Sequence, residues 1–241
     1  MEALNSAYKE NNDLYDLSRR FKIPIKTIRD HLEHTKLNTY HLAKFCTENM
    51  GKTIFLFDLE TSGLPATIKF NQYYPYTSNM HYDSSRILQI SYCIFHIGDP
   101  TPPTFITSFR KPEGFDISPK SSEIHGLKNE FLEKFGVPFR TIVDSGILTD
   151  IEKCDYVMSH NTDFDINILC NELYRINCKI PRQLLDPKNI VCSCKLTNYT
   201  KLKTLYESTV SDSETEVRFH DATEDVRALY KIIQTLLSNN K

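Results

Sequence analysis

The sequence predicts an α/β domain whose mixed sheet carries helices on its faces, with a small helical extension in front. Three observations predict it. Strand-length apolar runs arrive first as neighbours suited to antiparallel pairing, later runs alternate with helical periodicities, and residues 1–50 hold helical spacing alone. A chain of 241 residues suits one large domain or one domain with an appendage. With 40% hydrophobic and 25% charged residues its composition is that of a globular protein, which excludes wholesale disorder.

In the extension, Leu14, Leu17, Phe21, Ile28 and Leu32 recur at helical spacing, with Arg19, Arg20, Lys22, Lys26 and Arg29 between them. Pro24 suits the first turn of a second helix, because its φ is fixed and its missing N–H needs no partner there. The division falls at residues 1–50 and 51–241. Ile54–Phe57 reads as a strand buried on both faces, followed by strands at Arg86–Ile97 and Thr104–Arg110 in an antiparallel meander. Pro65–Ser85, polar and rich in tyrosine, reads as a surface loop; Tyr73, Tyr74, Tyr76 and Tyr82 there either stack on unpaired bases or simply fold over the sheet. Helical patterns then run to Cys154. Tyr156–Met158 is a short strand, Asp163–Asn177 a helix, Ile190–Cys194 a strand, Asn198–Ser208 a helix, and Ala222–Leu237 a long amphipathic helix.

No apolar run approaches the roughly 18–20 residues of a membrane helix, and the first residues lack the basic flank and apolar stretch of a secretory signal. The seven cysteines are odd in number and scattered, and Cys192-Ser193-Cys194 is too tight for a zinc knuckle. They read as small buried apolar groups in a reducing compartment. The expectation is a soluble intracellular protein with no membrane partner; no residue pattern speaks to nucleus against cytoplasm or to oligomeric state. A net charge of −2 weakly opposes a nucleic-acid binder, but an enzyme that holds cations in an acidic site can be neutral overall.

Three acidic segments carry the chemistry. In Phe57-Asp58-Leu59-Glu60-Thr61-Ser62-Gly63-Leu64, Asp58 and Glu60 share one face of a strand, about 7 Å apart along it. Two such charges repel by about 4 kcal/mol at 4 Å and an effective dielectric near 20, and a metal ion is a simple way to hold them together; two solvated acids at an exposed strand end fit the pattern as well. In Ser159-His160-Asn161-Thr162-Asp163-Phe164-Asp165, a strand turns into a helix at the sheet edge where open α/β folds place ligands. Asp163 suits a helix cap, Asp165 lies in the first turn, and Phe164, Ile168 and Leu173 suit a core face. In His220-Asp221-Ala222-Thr223-Glu224-Asp225, Asp221 and Glu224 suit a capping box. That leaves His220 in the loop and Asp225 beside the apolar stripe Val226, Leu229, Ile233 and Leu236, which docks the helix on the sheet.

Taken in order, D-x-E-T-S-G-L from Asp58, H-N-x-x-F-D from His160 and H-x-A-x-x-D from His220 resemble the motifs of the DnaQ-like (DEDDh) 3′→5′ exonucleases, over about residues 52–238. Ile124-His125-Gly126-Leu127 is similar to that family's I-H-G-[IL] turn. The resemblance implies a ribonuclease H-like fold, a five-stranded mixed sheet flanked by helices. It implies that Asp58, Glu60, Asp165 and Asp225 bind two Mg²⁺ (or Mn²⁺) ions, hard cations suited to carboxylate oxygens, with Asp58 bridging and Asp165 acting partly through water. Two ions about 3.5–4 Å apart can stabilise the attacking and leaving oxygens of an in-line displacement. His220 would be the base, imidazole being the side chain whose proton affinity lies nearest neutrality. Thr61, Leu64, His125, Asn161 and Phe164 are the implied contacts to the terminal nucleotides; turn geometry and core packing explain them equally.

The implied activity is metal-dependent release of nucleoside 5′-monophosphates from 3′ ends of single-stranded or other 3′-end nucleic acid. DNA is expected slightly over RNA, although no residue pattern reads the 2′-hydroxyl. The competing readings are a non-catalytic nucleic-acid-binding adaptor and a polymerase-associated proofreading subunit. In the extension, Asp16–Leu32 resembles a helix-turn-helix with Lys22 where glycine is common. Lys26, Thr27 and Arg29 would then touch duplex phosphates, or the helix pair packs on the other domain or on a second copy.

Overall fold

A computed structural model of the chain describes residues 1–69, 72–210 and 217–239. The extension folds as helices α1 (Glu2–Glu10), α2 (Leu14–Phe21) and α3 (Ile25–His34) around Leu4, Tyr8, Leu17, Ile28 and Leu32. Asp13 starts α2 by accepting the N–H groups of Tyr15 and Asp16. Lys22 ends it in the left-handed conformation (φ 54°), the geometry glycine usually supplies. Ser18 then bonds across the turn to the Ile23 carbonyl at 2.6 Å, and Pro24 is the residue before the next helix rather than its first. Helix α4 (Tyr40–Glu48) belongs to a different core: its Leu42 and Cys46 pack beneath the sheet.

Strand β1 (Thr53–Thr61) is the middle of that sheet. After it come a small hairpin, β2 (Thr67–Lys69) and β3 (Gln72–Tyr73), then β4 (Ile87–His96) and β5 (Phe105–Phe109). Helices α5 (Pro119–His125), α6 (Asn129–Phe135), α7 (Phe139–Ile142) and α8 (Leu148–Glu152) lead to β6 (Tyr156–Ser159) and α9 (Thr162–Arg175). The chain continues through β7 (Ile190–Cys192), α10 (Ser193–Leu196), α11 (Leu202–Thr209) and α12 (Ala222–Ser238). The five-stranded sheet has the order β5-β4-β1-β6-β7; β4 runs antiparallel to β1 and β5, while β6 runs parallel to β1 and β7. This is the mixed sheet flanked by helices that the sequence predicts.

Alternation along β1 builds two cores. Phe55, Phe57 and Leu59 pack with Phe139, Ile142, Ile168 and Leu173 on one face. Ile54 and Leu56 pack with Leu42, Val226, Leu229 and Ile233 on the other. The face that carries Ile54 and Leu56 continues to Asp58 and Glu60, so α12 packs against the face from which those acids project.

Three local expectations change. Pro65–Ser85 is more than a loop: it contains the β2–β3 hairpin, and Tyr82 is fully buried in the core because its hydroxyl is satisfied by the Tyr74 carbonyl. Tyr74 stacks on His81 and Tyr76 meets Tyr174 edge-on, so protein rings occupy these side chains. Asp163 does not cap α9; it pairs with Lys195 at 2.6 Å. Asp221 does cap α12, accepting from the Thr223 N–H at 2.9 Å, whereas Glu224 turns outward to Arg227 at 2.7 Å and leaves the capping box half made.

Candidate active site

Asp58 and Glu60 lie opposite Ser91 and Gln89 in the β1–β4 register. Those two polar residues, each 1% exposed, clamp the start of α12. Ser91 Oγ lies 3.0 Å from Thr223 Oγ1, Thr107 Oγ1 lies 2.7 Å from the same atom, and Gln89 Nε2 donates to Asp221 Oδ1 at 3.2 Å. The clamp brings Asp225, on the first turn of α12, over the strand. One oxygen each of Asp58, Glu60 and Asp225 then falls within 4.8 Å of the others. A register shift between Glu60 and Thr61 turns the chain away immediately after the second acid.

Asp165 reaches the same region from the start of α9. Asn161 takes the left-handed conformation (φ 82°), Thr162 knots the turn through bonds to Ser159 and Val191, and Ser159 Oγ donates to Asp165 Oδ2 at 2.8 Å. The backbone of Leu59 and of Asp165 itself also favours the charged form of this carboxyl. It stands outside the close trio, near enough that its charge raises both Asp58 and Glu60.

Burial first, and mutual repulsion second, pushes Asp58 well above the usual carboxylate range and Glu60 up to about 8. Burial lifts Asp165 to about 8 against the hydrogen bonds that favour its charge. Burial likewise lifts Asp225 to about 7, opposed by the His220 N–H and helped by Asp221 and Glu224. Asp225 Oδ1 is buried with no hydrogen-bond partner, an expensive arrangement for a carboxylate. Crowded acids with an orphaned, inward-facing oxygen suit a hard divalent cation, which would restore the charged forms.

A cleft of about 860 Å³ opens beside this cluster, lined by Asp58, Asp225, His220 and Asn161 together with His160 and Tyr199. His220 is exposed, has φ 66°, and its backbone N–H donates to Asp225 Oδ2 at 3.4 Å. The other expected contacts do not line the cleft. Thr61 is buried, its hydroxyl bonded to the Gly63 carbonyl at 2.8 Å, and Leu64 projects from the turn with 74% exposure. Gly63 itself is required: a Cβ there would sit 2.5 Å from the Ser84 carbonyl oxygen. His125 is buried, with Nδ1 accepting from the Leu127 N–H at 3.0 Å and Nε2 facing the Thr61 carbonyl at 3.3 Å. Burial lowers its proton affinity, with the Thr61 carbonyl pulling the other way and the charge of His220 adding to the fall. Phe164 is partly buried against the core.

Two side chains here, Tyr73 and His160, sit otherwise than the sequence alone suggests. Burial, and then the charges of Asp165 and Asp163, push the hydroxyl of Tyr73 on β3 up to about 12, with the Asn161 side chain opposing them. His160 is a strut, its ring nitrogens facing Ser193 Oγ at 3.0 Å and the Thr200 carbonyl at 2.9 Å. Nothing local in the sequence signals these pairings, which join residues 33 and 40 positions apart.

No protein-family model matches the chain, and no curated protein does. Solved structures do match. The zinc-bound form of the E. coli exonuclease I–single-stranded DNA complex aligns with TM-score 0.56 and 15% identity over 80% of this chain and 41% of that one. Cell-death related nuclease 4 (CRN-4) aligns with TM-score 0.54 and 12% identity over 79% of this chain and 65% of that one. A 3′-exonuclease described in 3′-end-specific recognition of the histone mRNA stem-loop aligns with TM-score 0.52 and 13% identity over 98% of this chain and 83% of that one. The chain thus spans 41% of exonuclease I and 65% of CRN-4. At these identities the likeness establishes the fold: the chain has the ribonuclease H-like fold of these nucleases.

Proposed function

We propose that the protein is a metal-dependent 3′→5′ exonuclease that releases nucleoside 5′-monophosphates from nucleic-acid 3′ ends. The observation that carries this reading is the convergence of Asp58, Glu60 and Asp225 within 4.8 Å, one oxygen of Asp225 unpartnered, at the mouth of an open cleft. A protein that only bound nucleic acid would have no use for acids clustered against a polyanion. Asp58, Glu60, Asp165 and Asp225 would hold two Mg²⁺ or Mn²⁺ ions. When bound, such a pair supplies charge stabilisation at both oxygens of a phosphoryl displacement.

The chain's own groups do the rest. His220, exposed at the cleft and tethered through its backbone to Asp225, takes the proton from the attacking water. Asp165, fixed by Ser159, orients the water shell rather than joining the close trio. Of the five implied nucleotide contacts, Leu64 by its exposed side chain and Asn161 from the cleft wall meet the terminal nucleotides, while Thr61, His125 and Phe164 position the turns that present them. Single-stranded DNA is the substrate this reading favours. Lys22, Lys26, Thr27 and Arg29 face solvent on the helix pair, which supports a phosphate contact to duplex by the extension.

End-labelled single- and double-stranded DNA and RNA, assayed with Mg²⁺, Mn²⁺ or EDTA, test the reading. Mononucleotide release that EDTA stops is expected, and the relative rates choose the substrate. Tight binding without release in either metal would instead make the protein an adaptor.

A further inference from the structure

We infer that the cleft wall formed by Tyr199, Lys201 and Lys203 binds the single strand that continues 5′ of the terminal nucleotide, one base resting on the Tyr199 ring and the neighbouring phosphates on the two lysines. This rests on the exonuclease reading of the carboxylate cluster that lines the same cleft. The lining of the cleft is two-signed: it holds Asp58 and Asp225, and it also holds Lys201 and Lys203. At about 860 Å³ it lies near the upper end of the range for ligand-sized clefts. A phosphodiester strand is attracted to the lysines and reaches the carboxylates only with cations in place.

Tyr199 is 47% exposed, so its ring is not spent on the core. Its backbone is nonetheless held firmly in an unfavourable shape. Asn198 and Tyr199 are consecutive left-handed residues (φ 57° and 59°), a shape that asparagine tolerates but that costs a residue such as tyrosine roughly 1–2 kcal/mol. Four contacts impose that shape. The Tyr199 N–H donates to the Cys194 carbonyl at 2.7 Å, and Thr200 Oγ1 donates to the Thr197 carbonyl at 2.6 Å. His160 holds the Thr200 carbonyl at 2.9 Å, and Asn198, itself buried, donates to the Tyr8 hydroxyl of α1 at 2.6 Å. A strained backbone that presents an aromatic ring to water is a recurrent feature of binding sites. The combination of such a ring with adjacent cations is the chemistry of single-strand binding without sequence preference. Lys201 and Lys203 are both exposed; among the described residues no carboxylate lies within 4.0 Å of the Lys201 ammonium, and Lys203 meets Glu207 only at 3.9 Å. The contact to Tyr8 also gives the extension a part in shaping this wall.

The test is the affinity of the full chain for fluorescein-labelled oligothymidylate, read by anisotropy with Ca²⁺ in place of Mg²⁺ and repeated across a salt series. Tyr199→Asn removes the ring while keeping a residue tolerant of the left-handed backbone; it is expected to weaken binding about tenfold. Tyr199→Phe, which keeps the ring, is expected to restore it. The double variant Lys201→Ala, Lys203→Ala changes only exposed side chains. It is expected to lower the slope of log K against log salt by about 1.4. Unchanged affinity in Tyr199→Asn, or an unchanged slope in the lysine variant, overturns the assignment. The two ideas separate cleanly: nucleotide release by the wild-type chain with unaltered binding in the variants sinks the wall alone. Altered binding in the variants without any release by the wild type sinks the exonuclease reading and keeps the wall.

Discussion

His160 Nε2 lies 2.9 Å from the carbonyl oxygen of Thr200, joining the start of the second acidic segment to the turn that carries Tyr199. A carbonyl can only accept, so Nε2 carries the proton; Nδ1 lies 3.0 Å from the Ser193 hydroxyl, which also donates to the Ser159 carbonyl at 3.0 Å. Burial holds this imidazole down at about 4, against the opposing pull of the Thr200 carbonyl. The unfolded chain therefore takes up a proton at a higher pH than the folded one. The stability that His160 contributes is full above about 6.5, its ordinary value, and is lost as pH falls through about 4. His160→Ala strands the Thr200 carbonyl and should cost about 1–3 kcal/mol at pH 7. Urea unfolding at pH 7 and pH 5 measures both: the gap between wild type and variant should shrink at pH 5, and a gap that stays constant would show that the ring is not buried neutral.

The acidic cluster has the opposite sign. Glu60 and Asp165 sit at about 8 and Asp225 at about 7, all above their ordinary values, so the unfolded chain loses these protons first. The stability that goes with their protonated forms is full only below about 4, the ordinary carboxylate range, and drains away as pH rises from there through about 7 to 8. A divalent cation reverses the loss by favouring the charged forms. Melting temperatures in EDTA should therefore fall between pH 6 and pH 9, and the gain from added Mn²⁺ should widen over the same interval. A Mn²⁺ gain that is flat with pH would count against a cation held by these acids.

How much of this was legible in the residues differs by element. The strands were, because Ile54–Phe57 and Ile87–Ile97 are apolar runs that only a buried sheet accommodates, and the two-residue spacing of Asp58 and Glu60 already put them on one face. The approach of Asp225 was legible as well, since Val226, Leu229 and Ile233 dock its helix. What escaped is the scaffolding that acts across the chain. The Ser91–Thr107–Thr223 hydroxyl clamp unites residues as far as 132 positions apart, and isolated serines and threonines carry no period. Tyr82 was hidden in a polar stretch because one carbonyl, that of Tyr74, suffices to let its hydroxyl be buried. Lys22 and Tyr199 stand in left-handed conformations that neither residue type advertises.

Glu172 holds α9 to the antiparallel half of the sheet. It accepts from Arg86 at 2.7 Å and from Arg110 at 2.6 Å, and both Glu172 and Arg110 are almost wholly buried. Burial raises its carboxyl, but the Arg86 hydrogen bonds and the charges of Arg110 and Arg86 outweigh it and leave the group below its ordinary value. Glu172→Gln leaves the Arg110 guanidinium, buried between Phe115 and Phe139, with only the longer 3.4 Å pairing to the exposed Glu113, and should cost about 3 kcal/mol. Chemical denaturation at pH 7 gives that number. The same penalty should fade as pH falls below about 4.5, where the unfolded chain takes up a proton at this carboxyl before the folded one does.

Removing one charge from the carboxylate trio should separate catalysis from folding. Asp58→Asn and Asp225→Asn each keep shape while deleting an anionic ligand, and each should reduce nucleotide release about a thousandfold, the loss of several kcal/mol of transition-state stabilisation. In EDTA neither variant should be less stable than the wild type, and both should be more stable at pH 9, since a crowded, hard-to-ionise acid has been replaced by a neutral amide. His220→Ala should act differently. Its ring is exposed and supports no packing, so melting should not move; release should fall about a hundredfold, and the pH–rate profile should lose the limb that imidazole ionisation contributes. Near wild-type release by either acid variant would remove the metal site from this cleft, and an unaltered profile in His220→Ala would reassign the base. A large fall in melting temperature for the acid variants in EDTA would mean instead that the trio is held together for structural reasons, which the orphaned oxygen of Asp225 argues against.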